Sequence, residues 1–237
     1  MEDGRNKVQN LKIIYEDNHI IVVEKKPNIP SQSDKTGDID MLTIVKQYIK
    51  EKYNKPGNVY LGLVHRLDRP VGGIMIFAKT SKAASRLSNQ IREKEFKKEY
   101  IAVVDGIFKK EKDTLIDYLY KDERHNMSKV VNKDKKNAKK ASLDYEVLKY
   151  NPIKNLSLVK INLHTGRHHQ IRVQLAHSGH SIFGDQKYGT RGQGKQIALW
   201  AYKLTINHPI TKEQIEFQDF PEPIGTWCIL KEDKHKN

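Results

Sequence analysis

"LVHRLDRPVGGIMIFAKTSKAASRLSNQI" spans Leu63–Ile91 and carries the clearest strand and helix signals in the chain. Within it, "GIMIFAK" is a continuous apolar run of the length that a buried strand needs. The segment that follows repeats apolar residues every four positions, at Ala83, Leu87 and Ile91. Thr80, directly before that repeat, is a residue type that caps helices. This stretch therefore predicts a strand that leads directly into a helix.

Short apolar segments on both sides predict more strands than helices. The segments "LKIIYED" and "HIIVVEKKP" flank a turn and predict a β-hairpin, and "MLTIVKQYIKEKY" has the spacing of a helix. "HTGRHHQIRVQLAHSGH" predicts one short helix that ends at Gly179. Six further strands are predicted at "KKEYIAVVDGIF", "DTLIDYLY", "ASLDYEVLKY", "NLSLVKINL", "IALWAYKLTINHP" and "EQIEFQ". With no internal repeat, the pattern favours one α+β domain.

Composition narrows the possible environments and partners. The 43 Lys and Arg residues outnumber 29 Asp and Glu, which gives a formal net charge of +14. Such an excess is typical of a protein that binds a polyanion, or of a surface coated with lysine. Cys228 is the only cysteine, so an intramolecular disulfide and a cysteine-built zinc site are both excluded. With no signal peptide or membrane-spanning run, we expect a soluble cytoplasmic protein.

The charge is concentrated between Lys121 and Lys140. Eight residues of this run are Lys or Arg and three are Asp or Glu, with few apolar positions between them. The run predicts an exposed basic hairpin or loop. It is either a solvated charged surface or a binding surface for a polyanion.

Asp68 is the first candidate for chemistry. It follows an apolar stretch and lies between Arg66 and Arg69. A carboxylate in such a place needs a cation or hydrogen-bond donors to hold its charge. If the segment is extended, Arg66 and Asp68 share one face, and Gly72 and Gly73 allow a tight turn into the next strand. On these residues alone, a structural salt bridge is the more common explanation of such an aspartate.

The histidine-rich segment is the second candidate. His164, His168, His169 and His177 suggest a metal site, but the usual zinc-binding helix spacing and its glutamate are missing. Arg172, on the predicted helix, is a residue type that is commonly anchored against a carboxylate. It is a possible partner for Asp68.

Three blocks of the sequence resemble, in order and spacing, the signature blocks of the RluA-type pseudouridine synthases. The blocks are "HRLDRPVGGIMIFAKT", "KKEYIAVVDG" and "TGRHHQIRVQLAHSGHSIFGDQKYG". The resemblance extends from about Leu11 to Phe220 and implies one catalytic domain at 11–230, with tails at 1–10 and 231–237. It implies a mixed, mostly antiparallel central sheet flanked by helices and loops. It also leads us to expect no N-terminal RNA-binding domain of the kind that many relatives carry.

The resemblance also implies roles for single residues. Asp68 corresponds to the catalytic aspartate, Tyr100 to the active-site tyrosine, and Arg172 to the arginine that pairs with the aspartate. Arg66 corresponds to the arginine that displaces the target base from its stack. The remaining predicted RNA-binding residues lie in the same blocks and are His65, Arg167, His169 and Ile171.

The implied reaction converts uridine to pseudouridine in RNA. The glycosidic bond breaks, the uracil turns and rejoins through carbon 5, so neither a cofactor nor a metal is required. Asp68 attacks either the base or the sugar, and Tyr100 removes the carbon 5 proton. The expected partner is ribosomal RNA, slightly ahead of transfer RNA, without DNA or a membrane, and a monomer is the default. The alternatives are a non-catalytic RNA-binding or ribosome-assembly protein and a metal-dependent RNA hydrolase.

Overall fold

The computed structural model describes residues 10–192 and 194–231 of the chain. Its helices are α1 (Met41–Lys52), α2 (Ser81–Glu93) and α3 (Gln170–His177), and a 3-10 helix covers Gly225–Leu230. The strands are β1 (Ile13–Glu16), β2 (Ile20–Lys25), β3 (Gly62–Leu63), β4 (Gly72–Ala78), β5 (Lys97–Asp105), β6 (Lys112–Asp122), β7 (Met127–Val131), β8 (Lys139–Asn151), β9 (Leu156–Leu163), β10 (Leu199–Asn207) and β11 (Gln214–Gln218).

The first compact unit comprises residues 10–97 together with 201–220. Its strands lie in the order β1, β2, β4, β10, with β3 paired to β4 and β11 to β10. One apolar cluster fills this unit. Its fully or largely buried members are Ile20, Val22, Ile74, Ile76, Ala78, Ala83, Leu87, Phe96, Leu204, Ile206 and Phe217.

Helix α2 packs on this cluster through the four-residue repeat read from the sequence. Ala83 and Leu87 have no exposed surface. The Thr80 side chain accepts a hydrogen bond from the Ala83 amide at 3.1 Å, which caps the helix. Lys94 ends it in the left-handed conformation, at a φ of 62°. The predicted strand-to-helix stretch is confirmed.

The second unit comprises residues 98–192, 194–200 and 221–231. Its strands lie in the order β5, β9, β8, β6, β7, and each neighbouring pair is antiparallel. Helix α3 packs its Val173 against Leu119 and Ala141 of this sheet. Gly179 follows the helix with a φ of 86°, as predicted for its end.

Most predicted elements are confirmed, including the hairpin of β1 and β2, helix α1 and the strands of the second unit. The mixed, mostly antiparallel α+β architecture is also confirmed. The basic run between Lys121 and Lys140 forms a hairpin, because it contains β7, which pairs antiparallel with β6. The predicted single domain at 11–230 stays a prediction. Of the predicted tails, residues 1–9 and 232–237 lie outside the described residues.

Two local predictions around Asp68 are wrong. Of the segment before Asp68, only Gly62–Leu63 is strand, because only these two residues pair with β4. The turn lies at Arg69 and Pro70, and both glycines belong to β4. Gly73 has a φ of 121°, and a Cβ there would lie 2.3 Å from the Ala201 carbonyl oxygen. The glycine therefore allows a close backbone approach rather than the turn.

No helix within residues 10–192 and 194–231 has the length and apolar character needed to cross a membrane.

Candidate functional site

The loop that carries Asp68 is held by backbone hydrogen bonds within the first unit. The Val71 amide donates to the Asp68 carbonyl at 2.9 Å and closes the turn. Ser31 braces the preceding residue from both sides, because its Oγ donates to the Leu67 carbonyl at 2.8 Å and accepts from the Leu67 amide at 3.1 Å. Asp68 itself is half-buried. Its carboxylate is therefore presented from a fixed backbone.

Lys25 fixes the same loop from inside. Its side chain has no exposed surface, and its ammonium donates to the carbonyls of Arg69 at 2.9 Å, Val71 at 2.6 Å and Lys26 at 3.3 Å. Burial lowers the pKa of Lys25 to about 7, and the nearby Asp68 carboxylate opposes that shift. The sequence analysis missed this residue. It joins the end of β2 to the loop of the candidate aspartate.

The two arginines beside Asp68 differ in their surroundings. The Arg69 guanidinium donates to Thr36 Oγ1 at 2.9 Å and pairs with the carboxylates of Asp34 and Asp38. Arg66 is exposed, and the described part of the chain offers it neither a hydrogen bond nor an ion pair. Arg66 is therefore available for a ligand, as its predicted role requires.

His65 lies inside the first unit. Its Nε2 accepts a hydrogen bond from the Ile76 amide at 3.1 Å, and its ring lies 5.4 Å from that of Phe96. The side chain is buried. Its predicted part in RNA binding stays a prediction.

Tyr100 lies on β5 of the second unit, opposite Ile161 of β9. Only 6 % of its surface is exposed. The neighbouring positions Ile101, Ala102, Val103 and Val104 are almost completely buried. The strand therefore fixes the position of the predicted active-site tyrosine.

Arg172 forms a bidentate ion pair with Asp185 in the second unit. Its Nε donates to Asp185 Oδ2 at 2.8 Å and its Nη2 to Oδ1 at 2.6 Å. The exposed fraction is 3 % for Arg172 and zero for Asp185. Asp185 Oδ1 also accepts from the amides of Lys187 and Tyr188. The sequence analysis did not anticipate Asp185, and the predicted pairing of Arg172 with Asp68 stays a prediction.

His169 precedes α3 and belongs to a chain of hydrogen bonds. Its Nδ1 lies 2.9 Å from the Tyr188 hydroxyl, whose oxygen accepts from the Ser128 amide at 2.6 Å. Burial lowers the pKa of His169 to about 2, and the positive charge of Arg172 adds to the shift. His169 is therefore neutral in the folded protein at ordinary pH.

This neutral histidine predicts acid sensitivity of the fold. The unfolded chain binds a proton at His169 below its ordinary pKa of about 6.5, whereas the folded chain does not, so stability falls as pH falls below that value. We expect His169 alone to cost about 2 kcal/mol of unfolding free energy between pH 7 and pH 5. Urea unfolding of His169→Asn should show a correspondingly smaller loss. The same loss in His169→Asn as in wild type would contradict this, and exposed His177→Asn is the control.

Arg167 and Ile171 flank His169. The Arg167 side chain is exposed, and its Nε donates to the Lys140 carbonyl at 3.0 Å. Ile171 is buried at the start of α3. Gln170 Oε1 accepts from Thr165 Oγ1 at 2.7 Å and from the Arg167 amide at 3.0 Å. These bonds fix the loop that leads into α3.

The histidines of this segment have non-metal partners. His164 Nε2 lies 2.7 Å from Asp144 Oδ2, and His168 contacts Ser128 Oγ through Nδ1 and Asn126 Oδ1 through Nε2. Over residues 10–192 and 194–231, no group of three or more His, Cys, Asp or Glu side chains has the arrangement to hold a metal ion.

The basic ribbon, defined as residues 121–140, carries exposed cations on the β6, β7 and β8 hairpins. Lys121 pairs with Glu123 and Lys129 with Asp122. The remaining cations of the ribbon have no acidic partner within the described chain, and they are Arg124, Lys133, Lys135, Lys136, Lys139 and Lys140. Lys135 lies over the Tyr120 ring, 5.5 Å from its centroid. The ribbon is a positively charged surface with an aromatic side chain, Tyr120, directly beside it.

The predicted site residues are distributed over both units. His65, Arg66 and Asp68 belong to the first unit. The second unit holds Tyr100 on β5, and the loop and helix α3 that carry Arg167, His169, Ile171 and Arg172. Their individual roles stay predictions.

Comparisons with known proteins identify the class. The family model described as RNA pseudouridylate synthase matches residues 19–177. An uncharacterized RNA pseudouridine synthase of Aquifex aeolicus is 33% identical over 221 residues, which cover 88% of this chain and 68% of the relative. Ribosomal large subunit pseudouridine synthase D of Haemophilus influenzae is 31% identical over 239 residues, covering 91% of this chain and 69% of the relative.

A solved structure shows the same fold. Human RNA pseudouridylate synthase domain containing 4 superimposes with a TM-score of 0.77 at 20% identity, over 92% of this chain and 93% of that one. The family match also covers the blocks around Asp68, Tyr100 and Arg172. The chain belongs to the RNA pseudouridine synthase family, whose members are isomerases.

Proposed function

We propose that this chain converts specific uridines of ribosomal RNA to pseudouridine, with Asp68 as the catalytic carboxylate. The proposal that the target is ribosomal RNA rests on the match to relatives named ribosomal large subunit pseudouridine synthase. The basic ribbon supports it, because exposed cations bind the phosphates of a structured RNA. Transfer RNA is the second candidate target. The proposal includes a monomer that works in the cytoplasm and binds neither DNA nor a membrane.

The proposed chemistry assigns one task to each group. The bond between uracil N1 and ribose C1′ breaks, the ring turns, C5 joins C1′, and the C5 proton is lost while N1 gains one. Asp68 acts as the nucleophile or charge-stabilising carboxylate, and Tyr100 assists removal of the C5 proton. The cation of Arg172 favours an ionised carboxylate. No electron is transferred and no group is added, so the reaction itself consumes no co-reactant.

Reaching the base requires extrusion from its stack. Extrusion costs a few kcal/mol, so the enzyme must hold the RNA backbone while the base leaves. Arg66 is exposed and is proposed to occupy the space that the base vacates. The basic ribbon is proposed to hold the phosphates.

The target is tested with separately purified RNA pools. Ribosomal RNA and transfer RNA from cells that lack the gene are incubated with the wild-type protein, and pseudouridines are mapped at base resolution. We expect new pseudouridine at one or a few uridines of ribosomal RNA. New sites in transfer RNA alone would overturn the target, and none in either pool would overturn the proposed function.

The ribbon's part has its own test. Replacing Lys133, Lys135, Lys136 and Lys139 by glutamine should weaken RNA binding and lower the slope of log affinity against log salt by about three. The control changes Lys121 and Lys129, whose ammonium groups already pair with acids. An unchanged slope in the fourfold variant would refute the proposed role of the ribbon.

A further inference from the structure

Lys98 is a lysine whose charge no described protein group compensates. It lies near the start of β5, two residues before Tyr100, so the two side chains leave the same face of the strand. Burial lowers the pKa of Lys98, and no nearby carboxylate opposes the shift. The described residues provide its ammonium with neither a hydrogen bond nor an ion pair. Lys98 is half-buried, so water rather than a protein group compensates its charge.

Lys25, a second lysine whose pKa is lowered by burial, has different surroundings from Lys98. Burial lowers the pKa of both lysines, but Lys25 is fully buried and its ammonium donates to three carbonyl oxygens, whereas Lys98 is half-buried. A structural buried lysine is satisfied in this way. Lys98 has no such set of acceptors in the described chain, so its N–H donors are available to a ligand.

The Lys98 ammonium faces a space beside Gly166. A Cβ placed on Gly166 would lie 3.5 Å from Lys98 Nζ, and no other described atom outside the adjacent residues would lie within 4 Å of it. The φ of Gly166 is not positive, so its backbone does not require glycine. The missing side chain therefore leaves room next to the cation.

The surroundings of this space favour an anion from RNA. Gly166 belongs to the loop whose next residue, Arg167, is exposed and hydrogen-bonded to the Lys140 carbonyl at the end of the basic ribbon. Tyr100, the predicted active-site tyrosine, lies on the same face of β5 as Lys98. A phosphate beside the target uridine has the charge and the oxygen acceptors that Lys98 lacks.

We infer that Lys98 and Gly166 form a binding site for one backbone phosphate of the RNA, next to the target nucleotide. The inference rests on the proposed function for the identity of the ligand. The phosphate compensates the desolvated ammonium on binding, so the contact strengthens as water leaves the site. Lys98 is thus a positioning group for the substrate backbone.

The test compares variants on a short labelled RNA hairpin with uridines in its loop. Between about 50 and 200 mM KCl, Lys98→Met should lower the salt slope of log affinity by about one. Its affinity should fall roughly tenfold, with the rate at saturating RNA little changed. Lys98→Arg should restore both affinity and slope. Lys97→Met, which removes an exposed lysine from the adjacent position, is the control.

A second variant and a labelling experiment make the test independent of folding. Gly166→Ala should weaken binding without loss of thermal stability, because its Cβ has room but occupies the phosphate's place. In wild-type protein, the RNA hairpin should protect Lys98 from an amine-reactive reagent, as read by mass spectrometry.

Two outcomes overturn the inference: an unchanged salt slope in Lys98→Met, or labelling of Lys98 that RNA does not reduce. Both readouts measure binding alone. Failure of the wild type to form pseudouridine would instead overturn the proposed function, and the two failures are therefore distinguishable.

Discussion

Asp185→Ala is expected to lower the free energy of unfolding by about 3–5 kcal/mol. The change removes the two Asp185 oxygens that accept from the buried Arg172 guanidinium, at 2.6 and 2.8 Å. The amides of Lys187 and Tyr188 lose an acceptor as well. Urea unfolding followed by circular dichroism measures the loss.

Two controls test the physical reason. Asp113→Ala breaks an exposed ion pair with Lys110 and should change stability little. Combining Asp185→Ala with Arg172→Met also removes the buried guanidinium that has lost the Asp185 oxygens, so the double variant should recover part of the lost stability. Wild-type stability of Asp185→Ala would show that the buried pair does not support the fold.

Asp68→Asn is expected to lower the rate of pseudouridine formation by at least about a thousandfold. The amide has the shape of the carboxylate but is neither a nucleophile nor a base. The loop itself is held by backbone bonds to Ser31 and Lys25, which the substitution leaves in place. Single-turnover assays on the mapped RNA measure the rate.

The matched control is Asp34→Asn. Asp34 is an exposed aspartate of the same unit and pairs with Arg69. It should convert RNA within a few-fold of wild type. Similar losses in both variants, or a thermal unfolding midpoint of Asp68→Asn far below that of wild type, would attribute the effect to structure rather than chemistry.

Elements with local signals were predictable from sequence. Helix α2 follows from a four-residue repeat behind Thr80, and its capping bond joins residues only three apart. Strand β4 follows from one apolar run. The family resemblance added Asp68, Tyr100 and Arg172, because their neighbours in the chain form recognisable blocks.

Contacts between distant parts of the chain were not predictable in this way. Lys25 donates to carbonyls 44 and 46 residues later, which local sequence does not encode. The sequence held one signal for this buried lysine. Ile21, Val23 and Lys25 occupy every second position of β2 and so lie on the same face of the strand, where the lysine continues a row of buried side chains. Asp185 likewise depends on the turn after Ile182 that brings it to Arg172.

The glycines after Asp68 illustrate the same limit. Sequence composition indicates a turn wherever two glycines follow a proline. The structure uses Gly73 for the close approach of β4 to Ala201, a residue far along the chain. The role of Gly73 therefore depends on the neighbouring strand that contains Ala201. The local sequence of the loop gives no information about that strand.

The central claim is that the carboxylate of Asp68 isomerises uridine in RNA. The most direct test maps pseudouridine at base resolution in total RNA from cells that lack the gene and express either wild type or Asp68→Asn at equal levels. The account predicts at least one uridine that is converted with wild type and unmodified with the variant. Equal conversion at every site in both strains would contradict it.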